Sequence, residues 1–485
     1  MSRFRIIENS KFQTKARGIQ KSVSDTRDIR KKYFQGNAAL VTLGCAKNQV
    51  DSEVMLGVLQ ANGFSIVNNL SEADVVVVNT CGFLQSAVKE SIDCILEVAS
   101  YKKQGRLRKL IVAGCLVERY KKGIEKALPE VDAFIDTRQI ISVADAATGS
   151  FFGLLQTAAR PYFLYDDATP RVFESEFGYA YVKISEGCNR HCAFCMIPKI
   201  RGKMRSRTVS SIKKELRQLA ANGIKEVNLI AQDLTSFAKD RGEKNGLLNL
   251  LRELDALKII PWIRLLYLYP SGINKELLLE IESLASICNY IDLPLQHVNE
   301  RILKSMNRPV ARFAPRRIVE LIEKTSPNIA LRSTFIVGYP GERERDLIEL
   351  ETFVREGHFS SLGVFPYSRE EGSAPFNLKD QLPSYEKGRR VEFIMKAQQD
   401  VLAKRLATYV GKTIEVLVEG YHQETELLLS ARSRFQAPEV DGKVLINDLG
   451  QSLQVPKPGS FRNVQISGVL GYDLVGCLLE TNEII

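Results

Sequence analysis

Short β-rich runs alternate with stretches of helical hydrophobic spacing over residues 37–146. The runs are AALVTLGC, ADVVVVNTC, KLIVAGC and VDAFIDT, and the longest intervening stretches are VDSEVMLGVLQANG and FLQSAVKESIDCILEVAS. Strands that alternate with helices form a parallel sheet covered on both faces. The pattern therefore predicts an N-terminal open parallel α/β domain over residues 37–146.

The same alternation resumes at residue 179 and continues to about residue 370. Its six strand candidates are YAYVKIS, EVNLIAQ, WIRLLYLY, NYIDLPL, ALRSTFIVG and SLGVFPY, with amphipathic stretches between them. Six units are fewer than the eight that close a full barrel. We therefore expect a partial, laterally open (βα)6 barrel in a central domain over residues 177–408, which makes the chain an α/β protein.

The last 75 or so residues change character. Short strand-like segments there are separated by Gly, Asp and Pro, which is typical of a small antiparallel β-barrel. We assign this barrel to residues 409–485, and its strands show no dense basic or aromatic stripe that would indicate nucleic-acid binding. Residues 147–176 show no sustained periodicity of hydrophobic residues and are predicted to be a linker.

The positive charge of the chain is concentrated at its start. Residues 1–36 carry ten Lys and Arg against three Asp and Glu, or +7 of a total of +10, which leaves +3 for the rest. We predict a disordered, solvated basic tail; an arm that touches RNA or the ribosome and an organellar transit peptide are the alternatives. No apolar run approaches the ~18 residues of a membrane helix, so we expect a cytoplasmic protein without membrane contact.

Nine cysteines in a chain without a secretory signal favour metal binding or catalysis over disulfides. Cys45, Cys81 and Cys115 each follow a predicted strand. Because the carboxyl ends of parallel strands share one edge, these thiols should meet there and form a ligand site. Three small buried hydrophobic residues are the alternative. The other cysteines outside the motif below are assigned to packing: Cys94, Cys288 and Cys477.

A second group of cysteines lies in SEGCNRHCAFC, directly after the first strand of the central domain. Cys188, Cys192 and Cys195 can surround one centre from a single loop, but no fourth thiol is near. A structural zinc usually has four ligands, and His191 is more consistent with a surface histidine than with a ligand. A zinc loop and an iron–sulfur cluster with an open position both remain possible on these residues alone.

This C-x3-C-x2-C arrangement resembles the radical SAM superfamily. The resemblance implies a 4Fe–4S cluster held by the three cysteines, whose fourth iron chelates S-adenosylmethionine. It also implies that the backbone at Phe194 meets the adenine. Gln232 and Asp233, at the end of the second strand, are candidates for ribose or methionine contacts, or equally for capping the helix that follows.

Five motifs resemble those of the methylthiotransferase family and occur in the same order, in a resemblance that spans residues 38–485. They are GCAKNQVDSE, NTCGF, AGCLVERY, the cysteine motif together with the following IPKIRGKMRSR, and IVGYPGE. The family implies a second 4Fe–4S cluster on Cys45, Cys81 and Cys115 and a terminal TRAM barrel. Lys47-Asn48, KISEGC and IPKIRG resemble the RimO-type branch, which adds a methylthio group to the β-carbon of an aspartate in small-subunit ribosomal protein twelve.

The resemblance further implies an electron donor such as flavodoxin or ferredoxin, and we expect a monomer whose terminal barrel docks the ribosomal protein. Two other functions remain open from the sequence. One is a tRNA adenosine methylthiotransferase, favoured by the basic runs KKQGRLRK and RGKMRSR. The other is a non-catalytic, metal-dependent RNA-binding adaptor that uses the basic tail and the terminal barrel.

Overall fold

The computed structural model describes residues 5–6, 35–121, 123–149, 153–154, 163–173, 177–450 and 454–479. These residues form two compact units. The first takes its residues from Met1–Glu174 and Met196–Lys203, and the second from Ser175–Cys195 and Met204–Ile485. The short segment that follows the second cysteine group thus packs within the first unit.

The first unit is built on a mainly parallel sheet. Its strands in the described residues are β1 Arg5–Ile6, β2 Gly36–Thr42, β3 Phe64–Ile66, β4 Val75–Thr80, β5 Lys109–Gly114, β6 Ala133–Ile135 and β7 Gly153–Leu154. They lie in the order β1-β2-β4-β5-β6-β7, with β3 also on β2, and only β1 runs antiparallel to its neighbour. The predicted open parallel α/β architecture is confirmed.

Helices accompany this sheet: α1 Ala46–Ala61, α2 Gln85–Lys103, α3 Cys115–Arg119, α4 Ile124–Ala127, α5 Val143–Thr148 and α6 Ile197–Arg201. The residues of β4 are buried without alternation, as expected of a parallel strand covered on both faces. Helix α2 contributes Val88, Ile95 and Val98 to the apolar core that covers the sheet. Burial of this core explains the unbroken apolar run VVVV.

Two segments differ from their predicted roles. Arg5–Ile6, in the predicted disordered tail, pair with β2, while most of the tail lies outside the described residues. In the predicted linker, β7 extends the sheet and residues 163–173 pack on α1: the Val172 amide donates to the Glu53 carbonyl at 3.0 Å. A Cβ on Gly57 of α1 would lie 2.4 Å from the Pro170 carbonyl carbon, so glycine permits this close approach.

The central part of the second unit is the predicted half-open barrel. Its six parallel strands are β8 Tyr179–Lys183, β11 Glu226–Ile230, β12 Trp262–Leu265, β13 Ile287–Asp292, β14 Ala330–Val337 and β15 Ser361–Pro366. A short antiparallel pair, β9 Ser185–Glu186 and β10 Arg205–Ser206, follows β8. The six strands lie in the order β15-β14-β13-β12-β11-β8, and no pairing within residues 177–450 joins the two edges of this sheet.

Helices lie between and after these strands: α7 Val209–Ala221, α8 Gly246–Asp255, α9 Lys275–Ser283, α10 Glu300–Ser305, α11 Pro315–Thr325, α12 Glu344–Arg355 and α13 Ser384–Ala407. The side chains of Thr208 and Asn274 cap α7 and α9 by accepting hydrogen bonds from backbone N–H groups. Helix α10, which the apolar pattern did not predict, belongs to the segment that supports the cysteine motif. Within the described residues, no helix has the length and apolar character needed to cross a bilayer.

The terminal strands form a closed five-stranded barrel within residues 413–478. They are β16 Thr413–His422, β17 Thr425–Ser433, β18 Val444–Asp448, β19 Phe461–Leu470 and β20 Asp473–Leu478, in the order β16-β17-β18-β20-β19. The predicted small β-barrel is confirmed. Four of its five ladders are antiparallel, and β18 pairs with β20 in parallel.

Buried ion pairs join this terminal barrel to the lower end of the central sheet, where the strands begin. Glu226, the first residue of β11, pairs with Arg264 at 2.9 Å and with Arg432 of β17 at 2.8 Å, and all three side chains are at most 1% exposed. Arg432 also pairs with Glu419 at 2.5 Å. The terminal barrel is therefore fixed at the end of the sheet opposite to the cysteine motif.

Candidate cofactor sites

Three cysteine loops meet at the carboxyl edge of the first sheet, as predicted; we call Cys45, Cys81 and Cys115 the cysteine rim. Cys81 follows β4 directly and Cys115 begins α3 directly after β5, while Cys45 precedes α1. A Cβ on Gly44 would lie 3.2 Å from the Cys81 sulfur, and one on Gly82 would lie 2.7 Å from the Cys115 carbonyl. Glycine at these positions lets the loops pack directly on one another.

Without a metal, burial keeps the thiols of Cys81 and Cys115 protonated. Burial raises the pKa of Cys81 to about 12, and the neighbouring Cys115 adds to the rise. Burial also raises the pKa of Cys115, against the lowering effect of the Arg201 guanidinium, whose Nη2 lies 3.2 Å from the Cys115 sulfur. Binding of iron would therefore have to displace protons, since metals take the thiolate form.

The second cysteine group lies in residues 188–195 of the second unit, which we call the triplet loop. A neighbouring segment at the end of α10 holds this loop. The Ala193 amide donates to the Met306 carbonyl at 2.8 Å, and the Asn307 side chain donates to the His191 carbonyl at 2.6 Å. Arg308 Nη1 lies 3.6 Å from the Cys192 sulfur. These contacts fix the loop backbone, as a preformed ligand site requires.

Tyr269 lies between two guanidinium groups beside this loop. The Arg190 and Arg308 guanidinium carbons lie 4.0 and 4.3 Å from the Tyr269 ring centre, and the Tyr269 hydroxyl lies 4.0 Å from the Cys192 sulfur. Each cation is attracted to the ring face. Arg308 thus lies next to a thiol that would carry negative charge as an iron ligand, and the second cation, Arg190, shares its aromatic ring.

Charged and amide side chains at the ends of β8 and β11 form a buried chain of hydrogen bonds. Lys183 Nζ donates to Glu186 at 2.6 Å, and Gln232 Nε2 donates to the other Glu186 oxygen at 2.7 Å. The Lys183 and Glu186 side chains are at most 3% exposed. Burial of an ion pair so close to the triplet loop marks this edge as a polar site within an otherwise apolar sheet.

Three residues were predicted to contact the cofactor. Phe194 packs with its ring against the apolar group of Ile302, Met306, Tyr339 and Tyr367. Gln232 points to Glu186, as described above. Asp233 is buried and accepts hydrogen bonds from Arg190, Thr235 and Ser236 side chains, and its side chain makes no capping bond to the backbone of the short turn at residues 234–236. Cofactor contact by these three residues stays a prediction.

Sequence reasoning missed several side chains at these two sites. Lys183 and Glu186 could have been found from the sequence, because they are charged residues in and just after an apolar segment that predicts a buried strand. Arg201 lies in IPKIRG, which was used only to distinguish branches of the family. For Arg308 no local pattern pointed to a thiol contact. His191 is exposed, as predicted, and Cys94 and Cys288 are fully buried packing residues.

The two groups of cysteines offer the donor chemistry that iron–sulfur clusters need. None of the six cysteines forms a disulfide bond. Near the triplet loop, the buried Ser185 Oγ and Gln232 Oε1 have no hydrogen-bond partner and are available to a ligand. Among the described residues no group of three or more His, Cys, Asp or Glu is placed to hold a metal ion. A cluster binds one cysteine at each iron and so accepts more widely spaced thiols.

Three family models match consecutive parts of the chain. They are the uncharacterized protein family UPF0004 at residues 37–136, the radical SAM superfamily at 182–354 and the TRAM domain at 410–479. A protein of Syntrophotalea carbinolica named ribosomal protein uS12 methylthiotransferase RimO is 44% identical over 447 residues, which cover 92% of this chain and 97% of that relative. A protein of the same name from Bdellovibrio bacteriovorus is 40% identical, and the match covers 94% of this chain and 99% of that relative.

The chain belongs to the RimO family. Among solved structures, the radical S-adenosylmethionine methyltransferase TsrM from Kitasatospora setae has a TM-score of 0.50 at 15% identity, covering 69% of this chain and 75% of that one. That likeness concerns the fold alone. As a family member the chain is a radical SAM methylthiotransferase that uses S-adenosylmethionine and 4Fe–4S clusters.

Proposed function

We propose that Cys188, Cys192 and Cys195 hold the cluster that binds S-adenosylmethionine, and that the cysteine rim holds an auxiliary 4Fe–4S cluster. The observation that carries this proposal is the presence of two separate groups of three cysteines without disulfide bonds, each at the carboxyl edge of its own parallel sheet. Such edges are where open α/β sheets bind ligands. Three thiols leave one iron of each cluster open for chemistry.

When bound, the first cluster with S-adenosylmethionine supplies hydrogen-atom abstraction from a carbon, and the auxiliary cluster supplies sulfur for methylthio transfer. The chain's own residues orient and isolate these groups. Arg308 places positive charge beside Cys192, Arg190 lies over the ring of Tyr269, and the Lys183–Glu186 pair fixes Gln232 at the edge of the sheet. The unpartnered Gln232 and Ser185 oxygens are suited to accept hydrogen bonds from the cofactor's amino or ribose groups.

We further propose that the substrate is an aspartate of ribosomal protein uS12, the small-subunit ribosomal protein twelve, modified at its β-carbon. The relatives' name supports this, as does a charge of only +3 outside residues 1–36. A tRNA enzyme would need many basic contacts to phosphate. A cytoplasmic monomer that takes electrons from a flavodoxin or ferredoxin fits the same reaction, which needs a reductant.

Deletion of the gene in its own host tests the proposed substrate. Ribosomal protein and tRNA from the deletion strain and its parent would be compared by mass spectrometry. We expect the methylthio group to disappear from an aspartate of uS12 and to remain on tRNA adenosines. Loss from adenosine with uS12 unchanged would favour the tRNA alternative. Loss from neither would favour the non-catalytic adaptor, whose purified form should also lack acid-labile sulfide.

A further inference from the structure

Arg201 is a buried cation in direct contact with a rim thiol. It is only 2% exposed, and it lies six residues after Cys195, in the segment that packs within the first unit. Its guanidinium donates from Nη1 to Asp51 at 2.6 Å and from Nη2 to the Asn48 side-chain oxygen at 2.6 Å. The same Nη2 lies 3.2 Å from the Cys115 sulfur.

Asn48 connects this guanidinium to the other two cysteine loops. Its Nδ2 donates to the Leu43 carbonyl at 2.9 Å and to the Thr80 carbonyl at 3.0 Å, which lie just before Cys45 and Cys81 in the chain. These two bonds fix the orientation of the amide, so that its oxygen faces Arg201. One hydrogen-bonded group thus contacts all three loops of the cysteine rim.

Besides its pair with Asp51, the Arg201 guanidinium is placed to stabilise negative charge on the cysteine rim. A guanidinium stays protonated in proteins, and burying it without compensation is costly. Asp51 balances it while the thiols are protonated. Cluster binding converts the thiols to thiolates, and the fork geometry then allows one guanidinium to serve both the carboxylate and the sulfur. Hydrogen bonds to the sulfurs and local charge are among the factors that set the potential of an iron–sulfur cluster.

We propose that Arg201 is the positioning residue of the auxiliary cluster, which it orients through Cys115 and whose negative charge it offsets. This inference rests on the proposed assignment of the auxiliary cluster to the cysteine rim. It gives the IPKIRG motif a role in the first unit, beyond its use as a marker of the family branch. Asp51 and Asn48 hold the guanidinium in place.

The test uses a full-length parent, Cys188→Ala/Cys192→Ala/Cys195→Ala, in which only the auxiliary cluster should remain. After anaerobic reconstitution the parent should contain about four irons. A folded parent without iron would overturn the rim assignment, and the inference with it. If the parent holds iron, the rim assignment stands, and substitutions of Arg201 and Asp51 in this parent then test the role of Arg201 alone.

Two changes at this group should shift the cluster's reduction midpoint in opposite directions. Asp51→Asn leaves the guanidinium charge unbalanced beside the sulfur and should move the midpoint to more positive values. Arg201→Gln/Asp51→Asn removes the hydrogen bond to sulfur and should move it to more negative values, with iron lost to a chelator about 10–100-fold faster. Arg201→Lys keeps the charge without the fork and should lie between parent and double variant.

The matched control is Arg171→Gln/Glu53→Gln. Arg171 and Glu53 form a buried ion pair at 2.5 Å in the same unit, and Glu53 lies on the same helix as Asp51. Circular dichroism would establish folding, and the control should keep the parent's midpoint and rate of iron loss. Equal midpoints in the Arg201, Asp51 and control variants would overturn the proposal. If the Arg201 double variant does not fold, unshifted midpoints in Asp51→Asn and Arg201→Lys would do the same.

Discussion

Arg190 Nε donates a 2.7 Å hydrogen bond to Asp233 Oδ2, and this ion pair ties the triplet loop to the end of β11. The Asp233 side chain is only 2% exposed, and the ion pair with Arg190 offsets the cost of burying this carboxylate. The amide of Arg190 also lies 3.4 Å from the Cys188 sulfur. Asp233 therefore positions a cysteine loop, whether or not it also reaches the cofactor.

Replacing Arg190 by Gln should loosen this loop. Asp233 would lose its cation and Tyr269 one of its two guanidinium neighbours. We expect reductive cleavage of S-adenosylmethionine to slow about 10–100-fold, with the triplet-loop cluster lost more readily to a chelator. The control is Arg252→Gln, which breaks an exposed pair with Glu280 on an outer helix of the same unit. Equal activity in both variants would show that the Arg190–Asp233 pair is dispensable.

The two clusters should assemble independently. Cys188→Ala should lower the iron content of the reconstituted protein by about half, and Cys81→Ala should do the same while sparing S-adenosylmethionine cleavage. Cys94→Ala, a change at a fully buried packing cysteine, should keep the full content of about eight irons. Iron and acid-labile sulfide analysis makes the measurement. About four irons in the unmodified chain would contradict the assignment of two clusters.

The buried network at Glu226 should make the terminal barrel inseparable from the central one. Arg432→Met removes one of the two cations on Glu226 and should lower the free energy of unfolding by about 3–5 kcal/mol, measured by urea denaturation. Glu415→Gln, at an exposed position of β16, should change it by less than about 0.5 kcal/mol. Equal losses of unfolding free energy in Arg432→Met and Glu415→Gln would show that the ion pairs at Glu226 do not couple the two barrels. Deletion of residues 409–485 would also remove Arg432 from Glu226 and leave only its pair with Arg264, and so does not by itself test substrate docking.

His297 should make the second unit sensitive to mild acid. Burial lowers the pKa of this fully buried ring to about 3, from about 6.5 in the unfolded chain. Below pH 6.5 only the unfolded state takes up this proton, so stability is complete above that pH. It should fall by up to about 1.4 kcal/mol per pH unit as the pH drops toward 3.

His297→Gln should flatten this dependence between pH 7 and pH 5, where few carboxylates titrate. The control Phe359→Leu, at another fully buried site, should lower stability at every pH without changing the slope. Urea unfolding of the cluster-free protein at several pH values gives the slopes. An unchanged slope in His297→Gln would mean that the ring accepts its proton in the folded state.

The apolar pattern was sufficient to predict the elements that carry the site. All six central strands and both longest N-terminal helices lie where periodicity placed them, because each buries a regular face. The cysteines follow the strands for the same reason: parallel strands end at one edge. The parallel β18–β20 ladder was not predictable, because the local hydrophobic pattern of a strand does not specify which other strand lies beside it.

Long-range polar contacts were also beyond the sequence pattern. Arg201 and Asn48 lie 153 residues apart, and neither stands out from surrounding polar residues until the fold brings them together. The same holds for Arg190 and Asp233. Buried charges of this kind are recognised only when their partner is known, because hydrophobic periodicity specifies burial without specifying which polar side chains are paired.

The most direct test of the proposed substrate is methylthio transfer by the reconstituted enzyme itself. The protein with both clusters, S-adenosylmethionine and a reductant would be incubated with purified ribosomal protein uS12 and, separately, with unmodified tRNA, and the products fragmented in a mass spectrometer. We predict that one aspartate of uS12 gains a methylthio group in place of a β-hydrogen, and that tRNA gains none. A methylthio group on tRNA adenosine, with every uS12 aspartate unmodified, would contradict this account.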